Sequence, residues 1–238
     1  MKKTMLLWAC LAVMFLVGGA TAHSVRFVWR VDPGITGLPP IPLDYCVMTE
    51  GETFSWQDVE IPPAYQAFAN YWQALGSSSV TIREGAIDRD ITIVITFSPG
   101  GSEMFGYPVA LQIKFDVYDG IIEGTDVEGL TLLNPPGTYF SFNRSDGLVL
   151  YFDLSPEFEA TFLEPIGLSR NMITLAFAEG EEFVREGIAV IPSYDGDVVT
   201  GLTGEVSHLS TIVLVDRRAF GPTDVRTSTW AKIKALWR

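Results

Sequence analysis

From residue 80 onward the chain repeats one pattern: short segments in which apolar and polar side chains alternate, bounded by Gly, Pro, Asn or Asp. A period of two puts the apolar side chains of a segment on one face, which suits a half-buried β-strand rather than a helix. Segments 80–83, 91–97, 109–118, 148–154, 158–163, 172–177, 188–191 and 206–215 carry it most clearly. Many short strands with turn signals between them predict an all-β fold, mainly an antiparallel β-sandwich. The 238 residues, 47% of them hydrophobic, supply enough apolar surface for a real core and exclude a disordered chain. A formal net charge of -13 argues against nucleic-acid binding.

One amphipathic helix is expected inside this pattern. Pro62 and Pro63 open it, Tyr65, Phe68, Ala69, Trp72 and Leu75 recur at helical spacing, and Gly76 stands just past its end. The Pro- and Gly-rich stretch 32–42 is expected as an irregular connection. At the C-terminus, Ser228 or Thr229 can cap a short helix that places Trp230, Ile233, Leu236 and Trp237 on one face and Lys232, Lys234 and Arg238 on its flanks. A helix of about ten residues is marginal in water, so this tail needs something to dock on. The candidates are the acidic body of the chain, an anionic membrane surface, or an envelope or surface protein.

The N-terminus has the layout of a secretory signal. Lys2 and Lys3 precede the apolar run 5–17, and Gly18-Gly19-Ala20-Thr21-Ala22 ends in small residues, so cleavage is expected after Ala22. The run is too short for a membrane span of about 20 residues. The expectation is an exported protein, in the periplasm, at the cell surface or outside the cell. Without Lys2 and Lys3 the processed chain holds 14 basic and 29 acidic residues, net -15. Cys10 leaves with the leader, and Cys46 then has no intramolecular partner and reads as a small buried hydrophobe. Charge divides unevenly: 23–215 carries 8 basic and 27 acidic residues, whereas 216–238 carries 6 basic and 2 acidic. The expected organisation is therefore signal peptide 1–22, N-terminal strands plus helix 23–76, sandwich 77–215 and basic amphipathic tail 216–238.

The run 80–96, Val-Thr-Ile-Arg-Glu-Gly-Ala-Ile-Asp-Arg-Asp-Ile-Thr-Ile-Val-Ile-Thr, resembles the opening of ZU5-like β-sandwich modules of bacterial exported proteins. Phe162-Leu-Glu-Pro-Ile-Gly-Leu168 followed by Ile173-Thr-Leu-Ala-Phe177 resembles their middle, and Val206-Ser-His-Leu-Ser-Thr-Ile-Val213 their closing strand, with Leu209 where those modules carry an aromatic. The resemblance spans about residues 78–215 and implies a non-catalytic structural or adhesive module, with no catalytic residue to carry over. The ending 229–238 is similar to short Trp-x-x-Ile-Lys-x-Leu-aromatic-Arg endings of some exported bacterial proteins.

Few residues point to chemistry. If His23 becomes the first residue, its amine and imidazole, joined by His208, have the nitrogen ligands that Cu2+ takes in a histidine brace. Asp116, Asp119, Asp126, Asp195 and Asp197, with Glu123 and Glu128 nearby, offer hard oxygens suited to Ca2+, although their spacing matches no EF-hand and Asp195-Gly196 also reads as a hairpin turn. Solvated turns are the favoured reading, and no cofactor is required. Trp29, Trp56 and Tyr71 are candidates for stacking on a glycan or partner, with core packing as the competing role. No nucleophile elbow, zincin helix or phosphate loop occurs. The sequence is thus read as an exported, non-catalytic structural, adhesive or ligand-binding module of the bacterial cell envelope. A copper-binding protein or oxidase and a carbohydrate-binding module are the alternatives, and the strong negative charge favours neutral glycans or basic proteins as partners.

Overall fold

The computed structural model describes residues 22–34 and 38–221. Residues 1–21, within the expected signal peptide, and tail residues Trp230, Lys232, Ile233, Lys234, Leu236 and Trp237 lie outside the described residues. The strands, in chain order, are β1 (Ser24–Val31), β2 (Ile41–Thr49), β3 (Thr53–Ser55), β4 (Ser79–Ile82), β5 (Ile91–Met104), β6 (Tyr107–Asp119), β7 (Thr131–Leu132), β8 (Phe140–Ser141), β9 (Leu148–Asp153), β10 (Ile173–Glu179), β11 (Glu182–Val184), β12 (Ile188–Asp195), β13 (Val198–Val206), β14 (His208–Leu209) and β15 (Thr211–Asp216). They form an all-β sandwich of two main sheets. One runs β11-β10-β15-β6-β5-β1-β2 with β7 added to β6, the other β12-β13-β9-β4-β3, and β8 pairs β14 in a small ribbon. Pairing is antiparallel except between β1 and β5, which run parallel with Val25 opposite Ile91 and Trp29 opposite Ile95.

The period of two is visible in what is buried against the second sheet. Val25, Phe27, Trp29 and Val31 of β1, Ile91, Ile93, Ile95 and Phe97 of β5, and Leu148, Leu150 and Phe152 of β9 enter one core. Its centre is aromatic: Trp29 lies 5.3 Å from Phe54 and 6.1 Å from each of Trp56, Trp72 and Phe97, ring centre to ring centre. Edge-to-face contacts join Phe97 to Trp56 and to Trp72, both at 5.0 Å, a geometry that aromatic quadrupoles favour. The Trp72 indole N–H donates to the Trp56 carbonyl, so this polar group is satisfied within the core. Cys46 packs half-buried at the edge of this core.

Three sequence expectations change. Residues 158–163, read as a strand, are helical: Pro156–Phe158 is a short α-turn and Glu159–Leu163 a π-turn. Ser155 caps it by accepting from the Phe158 N–H, Pro156 sets the first helical φ, and Phe158 and Phe162 meet across one turn at 4.9 Å. The segment 206–215, read as one strand, is three, because Ser207 turns back to Gly187 and the chain crosses to pair with β8 before β15 starts. The helix expected from Pro63 opens as a 3-10 turn kinked at Tyr65 and becomes α-helical only over Ala69–Ala74. Its apolar face is nonetheless the expected one, with Trp72 and Leu75 buried and Tyr65 and Phe68 against the core.

The outer face of the larger sheet is covered by its own loop. Arg26 points away from the aromatic core yet is fully buried. Its guanidinium donates to the carbonyls of Ile122 (2.6 Å), Gly124 (2.7 Å) and Asp126 (2.8 Å) and to Thr92 Oγ1 (3.1 Å). Burial, then the neighbouring Arg30 charge, pulls the Arg26 pKa below the usual arginine range. The cation therefore depends on the loop carbonyls as much as they depend on it.

Replacing Arg26 with Met is expected to lower unfolding free energy by about 2 kcal/mol, since three loop carbonyls lose a charged donor. Urea unfolding would show a lower midpoint, and a shift under about 1 kcal/mol would mean that the loop is held otherwise. Burial pushes the Cys46 thiol up from 9.0 to about 12, opposed weakly by the Trp29 indole. The unfolded chain therefore gives up this proton first, and stability is expected to fall as pH rises from 9 towards 12. Alkylation of Cys46 at pH 8 should be slow in the folded protein and fast in urea.

Candidate functional site

At the end of the sandwich where β10 stops and β14 crosses to β8, three rings stack from the core to the surface. Phe177, fully buried on β10, lies 4.1 Å from the His208 imidazole at an interplanar angle of 24°. His208 in turn lies 4.6 Å beneath Tyr139, whose side chain is 58% exposed. Strand alternation explains the column. Leu209 turns into the core beside Phe140, while His208 opposite Ser141 is left on the face that meets the end of β10.

The imidazole is held at both nitrogens. Nδ1 lies 3.3 Å from Ser207 Oγ, and Nε2 lies 3.4 Å from Glu179 Oε1. Ser207 is itself fixed, since its N–H (2.9 Å) and its hydroxyl (3.1 Å) both donate to the Gly187 carbonyl. A hydroxyl committed to a backbone carbonyl is not poised as a nucleophile, so Ser207, His208 and Glu179 act as a positioning set rather than a hydrolytic triad. Gly187 is required there. Its φ is +84°, and a Cβ would stand 2.6 Å from His208 Cε1 and 2.7 Å from Ser207 Oγ.

Two open clefts flank the Tyr139 ring and share Tyr139 and Glu179 in their walls. The first, about 570 Å3, runs along Lys114, Asp116, Tyr118, Asn134 and Thr211. The second, about 510 Å3, runs along Ser141, Asn143, Ser145, Glu186 and His208. Both fall in the range of ligand sites, roughly 300–1,000 Å3. The cations of the walls are neutralised, with Lys114 Nζ 3.0 Å from Asp116 and Arg144 Nε 3.0 Å from Asp146. Asn134 fixes the floor of the first cleft: its buried amide accepts from the Val117 N–H and donates to the Phe115 carbonyl, standing in for a strand along β6 between β15 and β7.

The residues singled out from sequence lie elsewhere, His208 and Asp116 excepted. His23 sits at the start of β1, its Nδ1 3.8 Å from Asp90 and its N–H 3.4 Å from Glu50. The strand carrying Glu179 and Phe177 is four strand steps from β1, about 19 Å along the sheet. The two histidines are therefore not brought together as a brace. Asp116 pairs with Lys114, Asp119 ends β6 opposite Ile91, and Asp126 accepts from the Val127 and Glu128 N–H groups, which hold its carboxyl below the usual carboxylate range. The Asp126 carbonyl, with those of Ile122 and Gly124, accepts from the Arg26 guanidinium. Asp195 and Asp197 flank Gly196 in the β12–β13 hairpin of the other sheet, the turn that the sequence also suggested. Among the described residues no group of three His, Cys, Asp or Glu side chains could hold a metal ion.

The stacking candidates are corrected too. Trp29 and Trp56 are fully buried in the aromatic core, and of the three only Tyr71, 44% exposed, faces solvent, beside Phe162. The ring that sequence reasoning missed is Tyr139. Its one signal was an aromatic placed just after the Pro135-Pro136-Gly137 turn. Among the described residues no helix is long and apolar enough to cross a membrane. Comparison with known proteins finds no matching family model, no matching curated relative and no matching solved structure.

Changing Gly187 to Ala is expected to expel His208 from the column and to cost about 1–3 kcal/mol, since both the positive φ and the close approach are lost. Loss of the ring-current shifts on the His208 and Tyr139 protons would show it directly. Unchanged shifts would mean that the column does not depend on Gly187.

Proposed function

We propose that the chain is an exported, non-catalytic ligand-binding module of the bacterial cell envelope, and that the double cleft about Tyr139 is its binding surface. The observation that carries this reading is the ring column: a large aromatic held exposed, backed to the core, with clefts of ligand size on both sides. Fixing the ring before a ligand arrives removes part of the ordering cost of binding. The leader-like residues 1–22 support export. The ZU5-like segments support a module without chemistry of its own, and so does the committed Ser207 hydroxyl.

Co-sedimentation of the processed chain, 23–238, with isolated bacterial envelopes tests the proposal. The chain is expected to sediment, and the double variant Tyr139→Ala, Glu179→Gln to stay largely in solution while unfolding at about the same temperature, because both residues lie on the surface. Equal sedimentation of the two proteins, or none of either, would overturn the assignment of the cleft.

A further inference from the structure

We infer that the double cleft takes a neutral oligosaccharide that runs past Tyr139, with one of its sugars stacked on the Tyr139 ring and its hydroxyls bonded by the polar walls; this rests on the binding-module reading above. Three observations converge. The ring is flat and exposed, packed at 4.6 Å and 45° on His208, which is itself backed by Phe177. A pyranose presents an apolar C–H face that such a ring can cover, and its equatorial hydroxyls then point outward toward whatever lines the site.

What lines the site is suited to hydroxyls. Ser141, Asn143 and Ser145 are exposed on one side, Thr211 lies on the other, and Glu179 stands between the clefts. Hydroxyl, amide and carboxylate groups together accept from and donate to a sugar, each of whose free hydroxyls carries both functions.

The charge of the walls decides against other ligands. Lys114 and Arg144 are neutralised by Asp116 and Asp146, so the clefts offer no free cation to a uronic, sulfated or phosphorylated chain. Glu186 on the rim, and the net charge of -19 over residues 23–215, repel such anions further. Among the described residues, a basic peptide finds one unpaired carboxylate on the rim, Glu186. Of the carboxylates here, Asp116 and Asp146 are paired and Glu179 faces His208. The two clefts meet at Tyr139, so the ligand is a chain of sugars rather than a single one.

The test is amide and aromatic chemical-shift mapping on the processed chain with cellohexaose, chitohexaose and mannohexaose as probes. Polygalacturonate and an oligolysine peptide serve as charged controls. At least one neutral hexamer should move the Tyr139, His208 and Asn143 signals. Tyr139→Ala should weaken that binding about tenfold or more and Tyr139→Phe by no more than about threefold, because the ring rather than the hydroxyl makes the stack. Glu179→Gln should weaken it less than Tyr139→Ala. If only oligolysine or polygalacturonate moves the cleft signals, the oligosaccharide inference falls and the binding-module reading stands. Neutral hexamers that bind with the same affinity to Tyr139→Ala overturn the stacking role. If no probe moves the cleft, the inference falls, and the envelope sedimentation result decides separately whether the module reading falls with it.

Discussion

Trp29 is the contact on which both sheets depend. It belongs to β1, next to the edge strand β2 of the larger sheet, and touches Phe54 of the smaller sheet, Trp56 just beyond it, Trp72 of the helix and Phe97 of β5. Indole and phenyl rings bury more apolar area per residue than any aliphatic side chain, and their edge-to-face preference adds orientation to that gain. One side chain thus fixes the spacing of the layers and the angle at which the helix lies across them. β1, first in the chain, lies beside β5 as a parallel neighbour, so the two are joined by no hairpin but by the long excursion through β2, β3, the helix and β4.

Covering the far side of the larger sheet requires a different solution. Val28 and Val94 are buried on that face, and the loop between β6 and β7 closes over the region. A loop has unpaired backbone carbonyls, and a sheet face offers it no donors. Arg26 supplies them from β1 with a side chain long enough to cross from the sheet to the loop. The cation that holds the loop is covalently attached to the sheet. It makes the loop insensitive to ion concentration, and it places a buried charge where its loss is costly.

The same economy of placement builds the candidate site. β10 ends with Phe177 buried and Glu179 emerging, β14 offers His208 to both, and the β8 edge carries Tyr139 above them. They come from three separate parts of the chain, β10, β14 and the approach to β8. A rigid exposed ring at the end of a sandwich arises because the crossing of β14 interrupts the regular ladder. Gly187 and Ser207 stabilise that interruption by hydrogen bonds within the backbone.

Much of the fold was legible in the sequence because strand alternation is a local property. Residues 91–97, 109–118, 148–154 and 172–177 alternate and, but for Leu154 and Met172, are strands in the structure, with 91–97 and 173–177 buried on both faces. Misreadings arose where local chemistry competes with alternation. At 158–163, Ser155 and Pro156 start a helix, and near 207 two side-chain and backbone bonds to Gly187 bend a strand. The role of the aromatics was not legible, since Trp29, Trp56 and Tyr139 look alike as residues and differ only in what surrounds them. The sequence by itself determined the all-β class, the turns at Gly76 and Asp195-Gly196-Asp197, and the excess of negative charge, all properties of neighbouring residues or of their sum. Only the tertiary structure decided which rings are core and which is exposed, that a guanidinium holds the loop, and that His208 meets Tyr139 and Glu179 rather than His23. Those outcomes depend on which strands become neighbours, and strand order is fixed by long-range packing rather than by any local pattern.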